Sequence, residues 1–373
     1  MKAIISRWQL AEAAQVVKGL VAKDGLSVFS RVRLDASGSL SVTGSNGDVQ
    51  VEWQMVGWIG TQGTVTVPGA AFAAFVGALP DDDVEISAEG TSAVKSKVKL
   101  SCKDVVFKLA AGKAADFPVM VGPKSKASAA FSIGADMLRE MLRKVRFAVS
   151  TDGTRPVLRG VNIDLKDGML SMTATDGRRL AHVEKKGAAD AAQPGMNITL
   201  PTKTVAILYG LLDRMDAGTV DVLIDDAAVR VIGDKWAMTA KVPADKYPNW
   251  RQVVPDGQPH SAVLGRDAFL EAMGRAALAS EESSGVKITL VNGRATFEAR
   301  NDMTAASASM AACKMDDGVK YEFCVNPRLM KDALEAIDED DFTLHFDEGD
   351  GKPIKLTCAL PWVAVVMPYR KEG

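Results

Sequence analysis

Thr173-Ala174-Thr175-Asp176-Gly177-Arg178-Arg179-Leu180-Ala181 is the stretch from which the rest of this chain can be read. An alternating apolar run, residues 168–173, leads into it, and Asp176-Gly177 is a hairpin-type turn. Two guanidiniums follow, then Leu180. Taken alone, the pattern predicts a β-hairpin with a basic tip and nothing more specific. The information lies in its recurrence, because other parts of the chain carry diverged copies of the same region.

Two short strand-like segments and a turn occur three times. They are 32–35, 38–43 and Asn46-Gly47; then 161–164, 168–173 and Asp176-Gly177; then 286–289, 293–298 and Asn301-Asp302. Gly38, Gly168 and Gly293 stand 130 and 125 residues apart. A strand running into a proline recurs with the same period, ending at Pro68, Pro201 and Pro327. Proline suits the first position of a helix because its missing N–H is not needed there. Lys99-Leu100-Ser101-Cys102 returns as Lys355-Leu356-Thr357-Cys358, two periods on. A shared period in three independent markers makes the chain a triplication.

Each repeat reads helix, strands, helix, strands. The first helices are expected near 6–21, 134–148 and 265–280, and the second near 68–80, 201–215 and 326–337. Leu10, Ala14, Val17 and Val21 share one helical face, as do Leu138, Leu142, Val145 and Val149, and Val205, Leu208, Leu212 and Met215. An acidic cluster follows each second helix. Its position before an alternating strand makes it a solvated turn rather than a metal site. Domains of 1–125, 126–254 and 255–373 follow.

The chain of 373 residues, 47% hydrophobic and 25% charged, has the composition of a protein with ample core. No apolar run reaches the roughly 18 residues of a membrane span, and the N-terminus has no secretory h-region. The four cysteines are scattered with no C-x-x-C pair, as in a reducing, cytoplasmic setting. The three histidines have no metal-ligand spacing, and no nucleophilic triad, H-E-x-x-H, Walker loop or dinucleotide fingerprint is present. No cofactor, metal or catalytic group is expected.

Three similar domains in line leave one open sheet edge at each end, and head-to-tail edges either close into a ring or propagate. The net charge is −2, yet the six helical spans together carry +4. Arg139, Arg143, Lys144, Arg146 and Lys203 supply much of the basic charge, so the helices are expected to face a polyanion. So small a charge predicts weak, salt-sensitive binding to free DNA.

With the repeats established, the opening stretch resembles the A-T-D-G-[HR]-R-L-A segment of the bacterial replicative sliding clamp family, the β subunit of DNA polymerase III. Ala114-Ala115-Asp116-Phe117-Pro118, the link Tyr247-Pro248-Asn249-Trp250-Arg251-Gln252-Val253-Val254-Pro255, and Val365-Val366-Met367-Pro368 are similar to three further segments of that family. The resemblance implies an α+β chain of three DNA-clamp domains, helices lining a ring and antiparallel sheets outside. It implies a head-to-tail homodimer around double-stranded DNA that serves as a polymerase processivity factor and not as an enzyme. The implied partners are the DNA polymerase III alpha subunit, the clamp loader, and other clamp-binding-motif proteins such as translesion polymerases, ligase and mismatch repair factors.

The resemblance also implies a pocket for partner peptides bearing a glutamine and a leucine-phenylalanine pair. Carried over, its lining is Leu158, Thr175, Gly177, Arg178, Arg179, Leu180, Pro248, Val253, Val365, Val366, Met367 and Pro368. Phe107 and Leu109 of one chain are expected to meet the helix around Leu278 of the other. The chain departs from the family at Ser27-Val28-Phe29-Ser30, in the uncharged helix at 68–80, and in the extension Lys371-Glu372-Gly373. These departures leave an accessory or phage-type clamp scaffold, not serving the main replicase, as the alternative reading.

Overall fold

The computed structural model describes residues 1–22, 27–88, 96–123, 129–187, 195–280, 285–311, 314–315, 320–347, 351–359 and 361–369; Lys371-Glu372-Gly373 lie outside them. Six helices alternate with antiparallel strands among these residues: α1 Arg7–Lys18, α2 Gly69–Ala78, α3 Ala135–Arg146, α4 Thr202–Leu212, α5 Arg266–Ala277 and α6 Pro327–Leu334. Each falls inside its expected span, one residue shorter at its start and two or three at its end. Only Pro327 takes the first helical position; Pro68 and Pro201 close the preceding strands instead. Val21, Val149 and Met215 consequently lie beyond their helices rather than on their stripes.

The chain forms two compact units, Met1–Ala135 with Gly210–Val242, and Asp136–Tyr209 with Pro243–Gly373. The first holds a five-stranded sheet, in the order Trp58–Thr61, Lys2–Ser6, Asp83–Ala88, Lys97–Cys102, Val105–Ala110. Its eight-stranded sheet runs Ala129–Gly134, Thr219–Ile224, Ala228–Ile232, Trp236–Lys241, Val49–Met55, Leu40–Ser45, Arg31–Asp35, Thr64–Pro68. Strands of the first and second repeats meet there, with Trp236 opposite Trp53. α1 buries Leu10, Ala13, Ala14 and Val17 and packs against the strands of residues 40–45 and 49–55. Gly44 permits the approach, since a Cβ there would stand 2.9 Å from that of Val17.

The second unit holds a nine-stranded sheet in the order Met196–Pro201, Gly160–Lys166, Met169–Thr175, Arg179–Lys186, Trp362–Val366, Ile354–Thr357, Asp341–Phe346, His260–Gly265, Lys314–Met315. A four-stranded sheet follows, Ala305–Ala311, Arg294–Arg300, Val286–Val291, Lys320–Val325. Strands of the second and third repeats join in the larger sheet. α5 packs Phe269 edge-on against Phe297 and Phe342, at 4.9 and 5.3 Å between ring centres.

The repeat is visible in turn chemistry. Asn46 Oδ1 accepts from Asp48 N and Val49 N at 3.0 and 2.8 Å, and Asp176 Oδ1 from Arg178 N and Arg179 N at 2.8 and 2.9 Å. Asn301 Oδ1 accepts from Met303 N and Thr304 N at 2.9 and 2.7 Å. A short side-chain acceptor satisfies two loop donors each time, which is why Asn or Asp stands at all three sites.

Candidate functional site

The hairpin at 175–179 is built almost entirely by its own side chains. Asp176 holds the two amides just described, Thr175 Oγ1 donates to Arg179 O at 2.7 Å, and Gly177 N donates to Thr175 Oγ1 at 3.1 Å. Gly177 sits at φ +86°, a left-handed conformation that favours glycine. The tip therefore presents Gly177 and Arg178 to solvent over a fixed backbone.

Three segments distant in sequence attach to this hairpin. The strand Trp362–Val366 pairs with it, setting Arg179 opposite Val366 and Leu180 opposite Val365, and Met367 N donates to Arg178 O at 2.8 Å. From the link, the Tyr247 hydroxyl accepts from Thr175 N at 2.9 Å; burial pushes its proton affinity well above that of an ordinary tyrosine, so it stays neutral. Trp250 lies 4.1 Å from the His182 ring, between centres, with the Arg251 guanidinium 4.5 Å over the indole. His182 also shares a 2.9 Å hydrogen bond with Thr173 Oγ1. From the turn before Gly160, Arg155 reaches the hairpin tip: a Cβ at Gly177 would stand 3.1 Å from its Nη1.

The twelve expected lining residues divide by exposure. Val253 is 54% exposed and Met367 41%, and Pro248, Gly177 and Arg178 are also open. Leu158, Leu180, Val365 and Val366 are buried. Thr175, Arg179 and Pro368 are half-buried. Arg179 is not the free guanidinium that a basic tip suggests. Its side chain is 11% exposed, with Nε 3.1 Å from Asp176 Oδ2, Nη1 2.6 Å from Asp332 Oδ2, and its Cζ 5.3 Å from the centre of the Phe147 ring. Sequence reasoning missed Tyr247, His182, Arg155 and Asp332 as parts of this neighbourhood. The first stood inside the quoted link, but nothing local marks Asp332.

The basic residues of α3 and α4 also divide. Lys144, expected to face DNA, has a side chain only 1% exposed, its Nζ 3.4 Å from Glu140 and 4.0 Å from Glu339. Its carbonyl accepts from Trp362 Nε1 at 3.0 Å. The residue is a buried tie and not a DNA contact, because its charge is spent inside the protein. Arg143 pairs with Glu140 at 2.7 Å and with Asp338; burial opposes ionisation of Glu140, but Arg143 and Lys144 hold that carboxyl below its usual range. Arg139 lies 3.2 Å from Asp136. Arg146, over the Tyr209 ring at 3.9 Å, and Lys203 stay exposed.

The residues expected at the chain's edges are placed as follows. Val105–Ala110 is an edge strand of the five-stranded sheet. Phe107 stacks on Phe75 at 4.4 Å, while Leu109 is buried, so only its backbone remains for an edge contact. Leu278, just past α5, is 86% exposed. Among the described residues there is no group of three or more His, Cys, Asp or Glu placed to hold a metal, and no helix long and apolar enough to cross a membrane.

The fold is that of three α+β domains in tandem, and comparison with known proteins says which. Models of the DNA polymerase III beta subunit match along the whole chain: the N-terminal domain at residues 1–121, the central domain at 132–249 and the C-terminal domain at 251–369. A Pseudomonas aeruginosa protein named beta sliding clamp is 30% identical over 342 residues, 89% of each chain. One of that name from Caulobacter vibrioides is 29% identical over 99% of this chain and 100% of its own. The crystal structure of the DNA polymerase III subunit beta from Pseudomonas aeruginosa superposes with a TM-score of 0.91 at 27% identity, covering 99% of this chain and 100% of that one. The chain belongs to the bacterial DNA polymerase III beta subunit, or beta sliding clamp, family.

Proposed function

We propose that two copies of this chain close head to tail into a ring around duplex DNA, and that the ring tethers the replicative polymerase to its template. It is a processivity factor and not an enzyme. The domains divide at 1–125, 126–254 and 255–373; the tandem of family matches supports that division. Ring closure uses the edge strand around Phe107 and Leu109 of one chain and the exposed Leu278 region of the other. Arg146 and Lys203, with Arg139 and Arg143 beside them on the same helix as Arg146, face the duplex. The protein works in the cytoplasm.

The surface of exposed Gly177, Arg178, Pro248, Val253 and Met367, with half-buried Thr175, Arg179 and Pro368 and buried Leu158, Leu180, Val365 and Val366, takes the peptide of a partner. Those partners are the DNA polymerase III alpha subunit, the clamp loader and proteins bearing a similar motif. The observation that carries this reading is the convergence of three distant segments on one hairpin, where Met367 is tied to Arg178 and remains exposed. An apolar surface edged by a few fixed polar groups suits a short extended peptide, and methionine adapts to several of them.

The decisive experiment loads the protein on closed circular DNA with its clamp loader. Retention that survives buffer exchange at physiological salt and ends when the circle is linearised is the expected result. Equal retention on both forms refutes encirclement. Stimulation of long-stretch synthesis by its own polymerase distinguishes the replicative clamp from an accessory scaffold.

A further inference from the structure

We infer that Asp332, on α6, is a positioning residue for the peptide surface, acting through Arg179; this rests on the reading of that surface given above. Asp176 builds the hairpin tip with one carboxylate oxygen and meets Arg179 Nε with the other, at 3.1 Å. The far end of the same guanidinium meets Asp332 at 2.6 Å, 153 residues further along the chain. With its side chain 11% exposed and the Phe147 ring beside it, Arg179 is held between two carboxylates and does not reach out to a ligand. Its role is to fasten the carboxylate that shapes the tip to α6. Asp332 makes that fastening non-local: without it, Asp176 and Arg179 form an isolated pair within one turn.

The tail at Met367-Pro368 is referred to the same helix. Asn326 caps α6, its Oδ1 accepting from Arg328 N at 2.9 Å, and its Nδ2 donates to the Tyr369 hydroxyl at 3.1 Å. Tyr369 N donates to Cys324 O at 2.7 Å, and Met367 N to Arg178 O at 2.8 Å. Met367-Pro368 is therefore strung between the hairpin tip and the start of α6. The spacing between tip and tail, which a bound peptide must match, is set by one helix gripping both.

The test uses the full chain and a fluorescent peptide bearing a glutamine and a leucine-phenylalanine pair. Asp332 is 42% exposed, so the expected loss is that of a partly solvated pair: Asp332→Ala weakens binding about fivefold with little change in thermal midpoint. Asp332→Glu restores most of it. In an Arg179→Ala background, Asp332→Ala costs nothing further, because the residue acts only through Arg179. Amide exchange at Gly177 and Arg178 speeds up in Asp332→Ala and not in Asp332→Glu. Additive losses in the double variant, or unchanged affinity in Asp332→Ala, overturn the inference. If the wild-type protein binds no peptide, the reading of the surface fails instead. The exchange rates still decide the role of Asp332, and unchanged rates refute it.

Discussion

Ending the chain after Val366 removes Met367 to Gly373 and separates peptide binding from folding. The strand Trp362–Val366 lies inside the nine-stranded sheet, paired on one side with residues 179–183 and on the other with 354–357, so the cut leaves both ladders intact. Among the described residues the lost hydrogen bonds include Met367 N to Arg178 O, Tyr369 N to Cys324 O and Asn326 Nδ2 to the Tyr369 hydroxyl. At about 1 kcal/mol each these amount to about 3 kcal/mol, which moves the melting temperature of a protein this large by several degrees. The peptide loses the exposed Met367 anchor and the fixed path of the tail. A buried apolar anchor at an interface is worth about 2 kcal/mol or more, so affinity falls at least tenfold. Fluorescence anisotropy measures the affinity, and sedimentation equilibrium confirms that the truncated chain still dimerises. Unchanged affinity in a truncated, folded dimer refutes the placement of the peptide surface.

Leu278→Asp, at a residue 86% exposed on the chain, is expected to convert the dimer to a 39.6 kDa monomer in light scattering, with the melting curve little changed. Replacing Arg146 and Lys203 together by alanine should reduce salt-sensitive DNA binding, whereas Lys144→Met should leave it alone and alter the denaturation midpoint; loss of DNA binding in Lys144→Met contradicts its assignment as a buried tie. Burial lowers the His182 pKa below its unfolded value, against the opposing pull of Glu184 and Asp164 and with Arg251 adding to the fall. The unfolded chain therefore binds the proton first, and the stability held above about pH 6.5 is lost on acidification through the folded pKa. His182→Gln should lose less melting temperature than wild type between pH 7.5 and 5; an equal loss in both sinks the argument. Trp362→Phe, which deletes an indole N–H donor from a fully buried site, should cost about 1–3 kcal/mol in urea denaturation.

The sequence by itself determined the triplication, the six helices and the turn after the paired strands of each repeat, because each is written in local chemistry: a periodic apolar stripe, a strand running into a proline, an Asn or Asp at the turn. Leu180, Val365 and Val366 were named only through the family resemblance, because the strands that carry them are buried on both faces and show no alternation. The fate of the charged side chains was not legible. Arg178 and Arg179 are neighbours of the same type, yet one faces water and the other is gripped by Asp332; Lys144 sits in a basic helix and is buried against Glu339. Ionic partners so far along the chain leave no trace in a local window. The joining of repeats was equally hidden. Trp236 pairs with Trp53 and Arg179 with Val366, and only the tertiary structure decides such pairings, because an edge strand presents the same backbone donors and acceptors to any neighbour and the packing of whole sheets selects which one it meets.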